Sequence, residues 1–357
     1  MIQLLRHSYQ KNIRMMNLTK AVVCTGIWAI IVFGSGLRAA CQSAISSFDD
    51  FAAIDSLSIE IETDAKKLSR LRDNQQWFSA TMRVFSGKKL ISTQPAEVKS
   101  RGKTRLEICG FPPLRLRPVS GSGTALKIVS DCNRTNDGES VVLREHLMYM
   151  LYQALTPESF RTVLFDVIVK QSGSSKPFYR SVAILIEDDE TLARRLGGKE
   201  FNPSVMSPSG IDSTCLDRLC MFQFMIGNTD WSIYNRHNIK LIKKESERKI
   251  IAIPYDFDYA GAVGADYAVP ASGLPIQSVQ ERYYFGLCRP EADVRRMVLF
   301  FQSHRQDIIN TCGQYRALPS GARQQVARYI AVFFELLDDP KAVHAQITAH
   351  CNNFKKG

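Results

Sequence analysis

The chain lacks three features that would assign it to a common functional class. None of its nine cysteines forms a CxxC pair, the spacing typical of structural zinc clusters. Its 46 Lys and Arg residues are scattered, with no long basic run and no interleaved aromatic residues, which disfavours a nucleic-acid groove. It also has no internal repeat and no low-complexity tract. Its 45% hydrophobic content predicts a large core, in one big domain or two modest ones.

Acidic residues are missing from the first 40 positions, which hold five basic ones, so the remainder carries 41 basic and 35 acidic residues. Residues 21–37 are apolar and small residues follow them, which is typical of a Sec-type signal peptide or an uncleaved anchor. Translation could also start at Met15 or Met16. Cys41 suggests a lipid anchor, but Arg38 is unfavourable at its position before such a cysteine. We expect an exported protein, periplasmic, envelope-bound or secreted, with membrane contact only through this segment.

Export changes the interpretation of the cysteines. Apart from Cys24 in the leader there are eight, and an even number in an exported chain favours disulfides over a zinc site. We predict a Cys109–Cys132 bond, because these residues flank neighbouring strand-like segments. A Cys312–Cys351 bond is predicted across the C-terminal helices.

Strand-like alternation dominates residues 56–190, which contain one clear helical pattern at residues 141–155. From residue 213 onward helical patterns dominate, with one hairpin embedded in them. This order predicts an α+β protein of two lobes. The predicted division is a signal peptide or anchor at 1–40, a linker at 41–55, a strand-rich N-lobe at 56–190, and a helical C-lobe with the hairpin at 191–357.

The predicted hairpin is the richest stretch for chemistry. Its strands are residues 239–242 and 250–253; Asp230 and Asn238 lie before the first strand and Asp256 after the second. Both ends of an antiparallel hairpin lie at one edge of the sheet, so these three side chains are expected to converge. Carboxylate and amide oxygens suit Mg²⁺, which keeps water and phosphate oxygens as its other ligands.

Three short motifs lie in and before this region. They are RGKTR at residues 101–105, GNTDW followed by HN within residues 227–238, and YDFD at residues 255–258. Their order resembles that of the spore-coat protein H (CotH) kinase-like family, over roughly residues 57–300. The resemblance implies a two-lobed protein-kinase-like fold and phosphoryl transfer from ATP or another nucleotide, bound with Mg²⁺ or Mn²⁺.

The resemblance also implies roles in the hairpin region. Asp230 would be the catalytic aspartate that positions the acceptor hydroxyl, and Asp256 the main metal ligand, with Asp258 beside it. Kinase loops usually place the metal-binding asparagine five residues after the aspartate, which selects Asn235. The position immediately before the strand selects Asn238, which we favour.

On the nucleotide side, the resemblance implies that Lys127 contacts the α- and β-phosphates and pairs with Glu145 on the helix. Arg101 and Glu187 complete the predicted nucleotide-binding residues. The sequence has no Gly-rich phosphate loop beyond the GSG at residues 121–123.

Each candidate also has a purely structural interpretation. Asp230 could close an Asx turn or cap a helix, and Asp256 could end a strand. For the nucleotide-side residues, the structural interpretations are a water-facing strand edge for Lys127, an exposed helix position for Glu145, ion pairs for Arg101 and a helix-start charge for Glu187.

The sequence therefore predicts an exported kinase that phosphorylates a protein or glycan hydroxyl. Little ATP is expected outside the cytoplasm, which leaves the donor open. Two further functions fit the same residues: a non-catalytic envelope or surface binding module, and a metal-dependent phosphate-ester hydrolase.

Overall fold

A computed structural model describes residues 45–72, 76–102, 104–119, 124–132, 138–245 and 249–351. The predicted signal or anchor, Cys41 and the GSG at residues 121–123 lie outside these ranges. Within them, no helix has both the length and the apolar character that a membrane crossing requires.

Seven strands close into a barrel in the order β1-β2-β3-β4-β5-β7-β6. They are β1 (Leu57–Thr63), β2 (Phe78–Ser86), β3 (Lys89–Ser100), β4 (Leu114–Pro118), β5 (Leu126–Ser130), β6 (Thr162–Gln171) and β7 (Pro177–Ile186). The pair that closes the barrel, β1 with β6, is parallel, whereas the other neighbours are antiparallel.

Alternating apolar residues fill the barrel, since successive side chains of a strand point to opposite faces of the sheet. Leu114 and Leu116 on β4, for example, are buried, whereas Arg115 between them is half-buried. Apolar side chains from every strand join this core, including Ile59, Val84, Val98, Leu116, Ile128, Val167 and Leu185.

Most of the helices build a second core beside the barrel, whereas the short helices at Phe48–Ala52 and Ala65–Arg70 pack into the barrel core. The helices are α1 (Phe48–Ala52), α2 (Ala65–Arg70), α3 (Thr104–Ile108), α4 (Gly138–Leu155), α5 (Asp189–Arg195), α6 (Ser213–Ile226), α7 (Glu291–Ser303), α8 (Arg305–Gln314), α9 (Ser320–Asp338) and α10 (Pro340–Val343). The long helix α4 contacts strands β5, β6 and β7 of the barrel and also packs against helix α8. It therefore couples the barrel to the helices that follow.

A small sheet of three strands belongs to this second core. Its order is β10-β9-β8, with β8 at Gly198–Glu200, β9 at Ile239–Lys244 and β10 at Ile250–Pro254. Strands β9 and β10 pair antiparallel, with Ile239 opposite Pro254, which confirms the predicted hairpin.

The prediction of a two-lobed protein-kinase-like fold is wrong, although the mixed α+β content is present. A closed seven-stranded mixed barrel forms where a strand-rich lobe was expected. The closing register pairs Ser58 with Asp166, two residues that are far apart in the sequence. Alternation within a strand shows which residues face the core but not which distant strand pairs with it, so the sequence did not reveal this closure.

One of the two predicted disulfides is confirmed, because Cys109 bonds to Cys132. The predicted Cys312–Cys351 bond is wrong: Cys351 pairs with Cys288. Cys312 is a fully buried free thiol on the core face of α8. Helical periodicity does not distinguish a core cysteine from one poised for a disulfide. The two bonds indicate an oxidising, extracytoplasmic environment.

Candidate functional site

The loop that carries Asp230 is fixed at the end of α6. Gly227 ends this helix in the left-handed conformation, with φ 67°, and its N–H donates back to the helix. Asn228, which is 1% exposed, then accepts a hydrogen bond from the Asp230 N–H at its Oδ1, at 2.9 Å. The Nδ2 of Asn228 donates to Gln223 on α6, at 3.0 Å. This buried Asx turn holds the Asp230 backbone in place.

Both oxygens of the Asp230 carboxylate have a partner. His237 Nε2 lies 2.8 Å from Oδ1. The Nδ2 of Asn238 donates to Oδ2 at 2.9 Å and to the Asp230 main-chain oxygen at 2.8 Å. The side-chain nitrogen of Asn238 is thus engaged, which leaves its side-chain oxygen, Oδ1, as a possible ligand. None of the described residues donates a hydrogen bond to this oxygen.

Asp256 lies next to Asn238 at the other end of the hairpin, since the N–H of Tyr255 donates to the Asn238 main-chain oxygen at 3.1 Å. The Asp256 N–H donates to the hydroxyl oxygen of Tyr149 on α4, at 2.9 Å. Its half-buried carboxylate makes no hydrogen bond or ion pair with any residue in the described ranges. The structure thus brings Asp230, Asn238 and Asp256 to one edge of the hairpin.

Two non-glycine residues at this edge have left-handed backbone. The φ angle is 53° at Asn238 and 63° at Asp256. Residues with a β-carbon adopt this region at a cost of about 1–2 kcal/mol, which is lower for Asn and Asp. Such strain is concentrated at functional sites, because folding stability alone gives no reason to keep it.

Asp258, by contrast, is engaged in a buried ion-pair cluster. Arg105 on α3 donates to Asp258 Oδ2 at 3.0 Å and to Glu145 Oε2 at 2.8 Å. The Tyr267 hydroxyl also donates to Asp258 Oδ2, at 3.0 Å. The carboxylate of Asp258 therefore has protein partners, unlike that of Asp256. Burial raises the pKa of Asp258, although the charge of Arg105 opposes the shift.

Glu145 is fully buried on α4, so the surface interpretation is wrong for this residue. Its Oε1 has no hydrogen-bond partner in the described part of the chain. Burial raises its pKa to about 8, opposed by Arg105 and reinforced by the charges of Asp258 and Asp256. Two carboxylates thus contact one guanidinium and the charge of Asp256 acts on it as well, an excess of negative charge that a bound proton or cation relieves.

Lys127 is 5% exposed, so the water-facing interpretation is also wrong. Its Nζ lies 2.5 Å from Asp189 Oδ1, and Lys240 Nζ lies 2.9 Å from Asp189 Oδ2. The predicted Lys127–Glu145 pair is wrong, because β5 places Lys127 opposite Ile186 on β7, just before α5. Burial lowers the pKa of Lys127 to about 8, although Asp189 opposes the shift.

Arg101 follows β3 and is half-buried. Its side chain forms no hydrogen bond or ion pair with the described residues, yet its charge lowers the pKa of Lys127 and acts on Tyr149 and Tyr255. Arg101 therefore lies in the same region as Lys127 and Asp256, with its guanidinium available to an anion.

The other two predicted residues have structural partners. Glu187 is fully buried, and its carboxylate accepts hydrogen bonds from Arg161 and Arg195. Asn235 is exposed, and its Oδ1 closes a turn by accepting from the His237 N–H at 3.1 Å. No contact joins Asn235 to Asp230 in the described part of the chain, whereas Asn238 contacts Asp230 directly.

The donor set fits a hard divalent cation only in part. Within the described ranges, no three His, Cys, Asp or Glu side chains are grouped so that they could hold a metal ion. Asp256 and Asn238 offer one carboxylate and one amide oxygen, both without hydrogen-bond partners among the described residues. Mg²⁺ commonly takes one or two carboxylates and keeps water or phosphate oxygens as its other ligands. The residues present therefore fit a metal that arrives with a phosphate ligand.

Comparison with known proteins found no match among family models and none among curated proteins. The function of the chain is therefore inferred from the geometry of this hairpin edge.

Sequence reasoning missed several residues that shape the site. Tyr149 lies one helical turn after Glu145, so both side chains share one face of α4, a spacing visible in the sequence. Asp189, which pairs with Lys127, and Lys240, which also pairs with Asp189, become neighbours only through the pairing of β5 with β7 and of β9 with β8. No local sequence pattern predicts that these side chains become neighbours.

Proposed function

We propose that the protein is an exported, metal-dependent phosphotransferase that moves a phosphoryl group from a nucleotide–metal complex to a protein or glycan hydroxyl. The observation that carries the proposal is the Asp256 carboxylate, unpaired within the described ranges and on strained backbone. It lies at the same hairpin edge as Asn238, whose Oδ1 accepts no hydrogen bond from a described residue. An unpaired carboxylate in a half-buried position is costly, and a cation offsets that cost.

Asp256 and Asn238 would hold Mg²⁺ or Mn²⁺. When bound, the metal neutralises charge on the phosphate oxygens. Arg101, which has no partner in the described ranges, would bind a phosphate oxygen from the barrel side. Lys127 adds positive charge there, held in place by Asp189.

Asp230 is the proposed base. Asn238 and His237 hold its carboxylate by hydrogen bonds, which fixes its orientation. Asp230 accepts the proton of the acceptor hydroxyl as that oxygen bonds to the terminal phosphorus of a nucleoside triphosphate. The bridging P–O bond breaks, and its electron pair leaves on the nucleoside diphosphate.

The test uses the purified exported chain with labelled ATP and Mg²⁺ or Mn²⁺. Nucleotide and metal together should raise the melting temperature, because a ligand at about 100 times Kd adds about 2.7 kcal/mol of stability. Asp256→Asn should abolish that rise and the label transfer. Asp266→Asn is the matched control, since Asp266 is exposed on the following loop.

Three results would redirect or remove the proposal. A wild-type chain whose melting temperature does not respond to nucleotide and metal contradicts it. A response without transfer to any hydroxyl indicates a non-catalytic binding module, and release of free phosphate indicates a hydrolase.

A further inference from the structure

A cavity of about 220 Å³ borders Asp230 on the side of the α6–β9 loop, and the proposed function leaves it without a role. Leu216, Cys220 and Leu287 contribute apolar walls. Trp231 and Phe285 form an aromatic corner, with ring centroids 5.8 Å apart and planes at 80°. Aromatic walls of this kind favour a flat apolar ligand.

Polar side chains also line the cavity: the Asp230–His237 pair, and Thr229, Ser232, Tyr234 and Asn235. The side chains of Asp230 and His237 are 32% and 52% exposed, so a ligand in the cavity can reach them. An apolar pocket with few polar groups is the usual form of a small-molecule site, in which the polar groups set the orientation.

Size and polarity restrict the ligand. An apolar cavity of about 150 Å³ is enough to bind benzene, so this one has room for a single substituted aromatic ring. A sugar ring of similar size presents hydroxyl groups all around its edge, and each one that meets an apolar wall without a partner costs about 1–3 kcal/mol. The walls therefore favour a ligand with an apolar ring and one hydroxyl.

We propose that this cavity binds the acceptor as a phenol, with the ring against Trp231 and Phe285 and the hydroxyl at Asp230. The inference rests on the proposed role of Asp230 and deepens it, because it selects aryl hydroxyls over glycan hydroxyls. A tyrosine side chain of a protein and a free small phenol share this chemistry.

The experiment measures binding of p-cresol to the full exported chain without nucleotide or metal, by saturation-transfer NMR and by fluorescence of Trp231. Ala271→Leu adds side-chain volume at the cavity wall and should weaken p-cresol binding at least tenfold. Val269→Leu is the matched control: Val269 is 63% exposed on the same loop, outside the cavity, and this variant should bind like the wild type. Phe285→Ala provides a second test, since it removes one ring of the aromatic corner and should also weaken binding.

Three further probes complete the test. Cyclohexanol and methyl glucoside should bind at least tenfold more weakly than p-cresol. Equal binding of all three, or p-cresol binding that survives both cavity variants, overturns the inference. A capped tyrosine peptide that binds more tightly than p-cresol indicates a protein acceptor, and the reverse order indicates a small phenol.

Because these measurements omit nucleotide, they separate the two proposals. Phenol binding without a nucleotide response leaves the cavity assignment standing and removes the phosphotransferase. A nucleotide response without phenol binding does the opposite.

Discussion

Glu145 and Glu187 are both fully buried, yet the protein treats their charges in opposite ways. Glu187 lies between β7 and α5, where Arg161 and Arg195 each donate to its carboxylate. Burial raises its pKa, but the hydrogen bonds from these two arginines outweigh that effect and leave the pKa lowered. Glu145 has one ion pair, through Arg105, and its pKa is raised to about 8.

The difference shows that burial alone does not decide the charge of a carboxylate. Partners decide it, because each hydrogen bond to the ionised form offsets part of the cost of desolvation. Glu187, with two arginine partners, links the barrel to helix α5 through Arg195. Glu145, which has one partner, lies close enough to Asp256 on the strained hairpin edge for their charges to interact. Incomplete pairing therefore marks the region where the structure leaves room for a ligand.

The largest expected effect comes from neutralising the well-paired glutamate. Glu187→Gln leaves two arginines without their shared charge, and we expect a loss of about 2 kcal/mol, below the usual cost for a buried pair because both arginines are partly exposed. Glu145→Gln resembles the protonated acid and should cost less than about 1 kcal/mol at pH 7. Urea denaturation of both variants measures this contrast, and equal losses would contradict it.

The two glutamates should also give opposite pH dependence. The pKa of Glu145 is about 8 in the folded chain against an ordinary 4.5, so the folded state holds a proton that the unfolded state has lost. The contribution of Glu145 to stability should therefore fall as the pH rises from about 5 to 8, by at most about 1.4 kcal/mol per pH unit. Burial lowers the pKa of His146 to about 4, so its contribution rises with pH up to about 6.5 and opposes that fall in the lower half of the range. For Glu187 the pKa is lowered, so its contribution is lost as the pH falls below about 4.5.

Urea midpoints across this pH range check the assignment. Glu145→Gln should flatten the decline between about pH 6.5 and 8, where His146 is neutral in both states, whereas Glu187→Gln should leave that decline unchanged. A decline that persists in Glu145→Gln would assign it to another group.

A smaller effect is expected at the strained edge. Asp256→Gly removes a β-carbon from left-handed backbone, and we expect stability to rise by up to about 1 kcal/mol while the response to nucleotide and metal disappears. Asp266→Gly is the control, since Asp266 has no positive φ and the same change should cost about 0.5–1 kcal/mol. A destabilised Asp256→Gly variant with a normal nucleotide response would show that the strain serves folding.

The sequence predicted features that depend on short stretches of chain. The β9–β10 hairpin and the Cys109–Cys132 bond follow from local alternation and turn chemistry. The hydrogen bond between Asn238 and Tyr255 at the hairpin edge has the same origin, because two strands joined by a tight turn bring their outer ends together.

Features that depend on distant pairings were not predictable in this way. The partner of Lys127 is Asp189 rather than Glu145 because β5 lies beside β7 in the barrel. The partner of Glu145 is Arg105, brought in by α3. Residue type and helical spacing identified both charged side chains as candidates, but only the tertiary arrangement decides which opposite charge each one meets.

The parallel pairing of β1 with β6 has a consequence for the order of folding. All of β2–β5 and α4 lie between these strands in the chain, so entropy delays their contact relative to the β2–β3 and β6–β7 hairpins. Lys127 meets Asp189 only after β5 has found β7, which is also a non-local step. Partly folded chains in which β5 has not yet paired with β7 therefore lack the contact between Lys127 and Asp189.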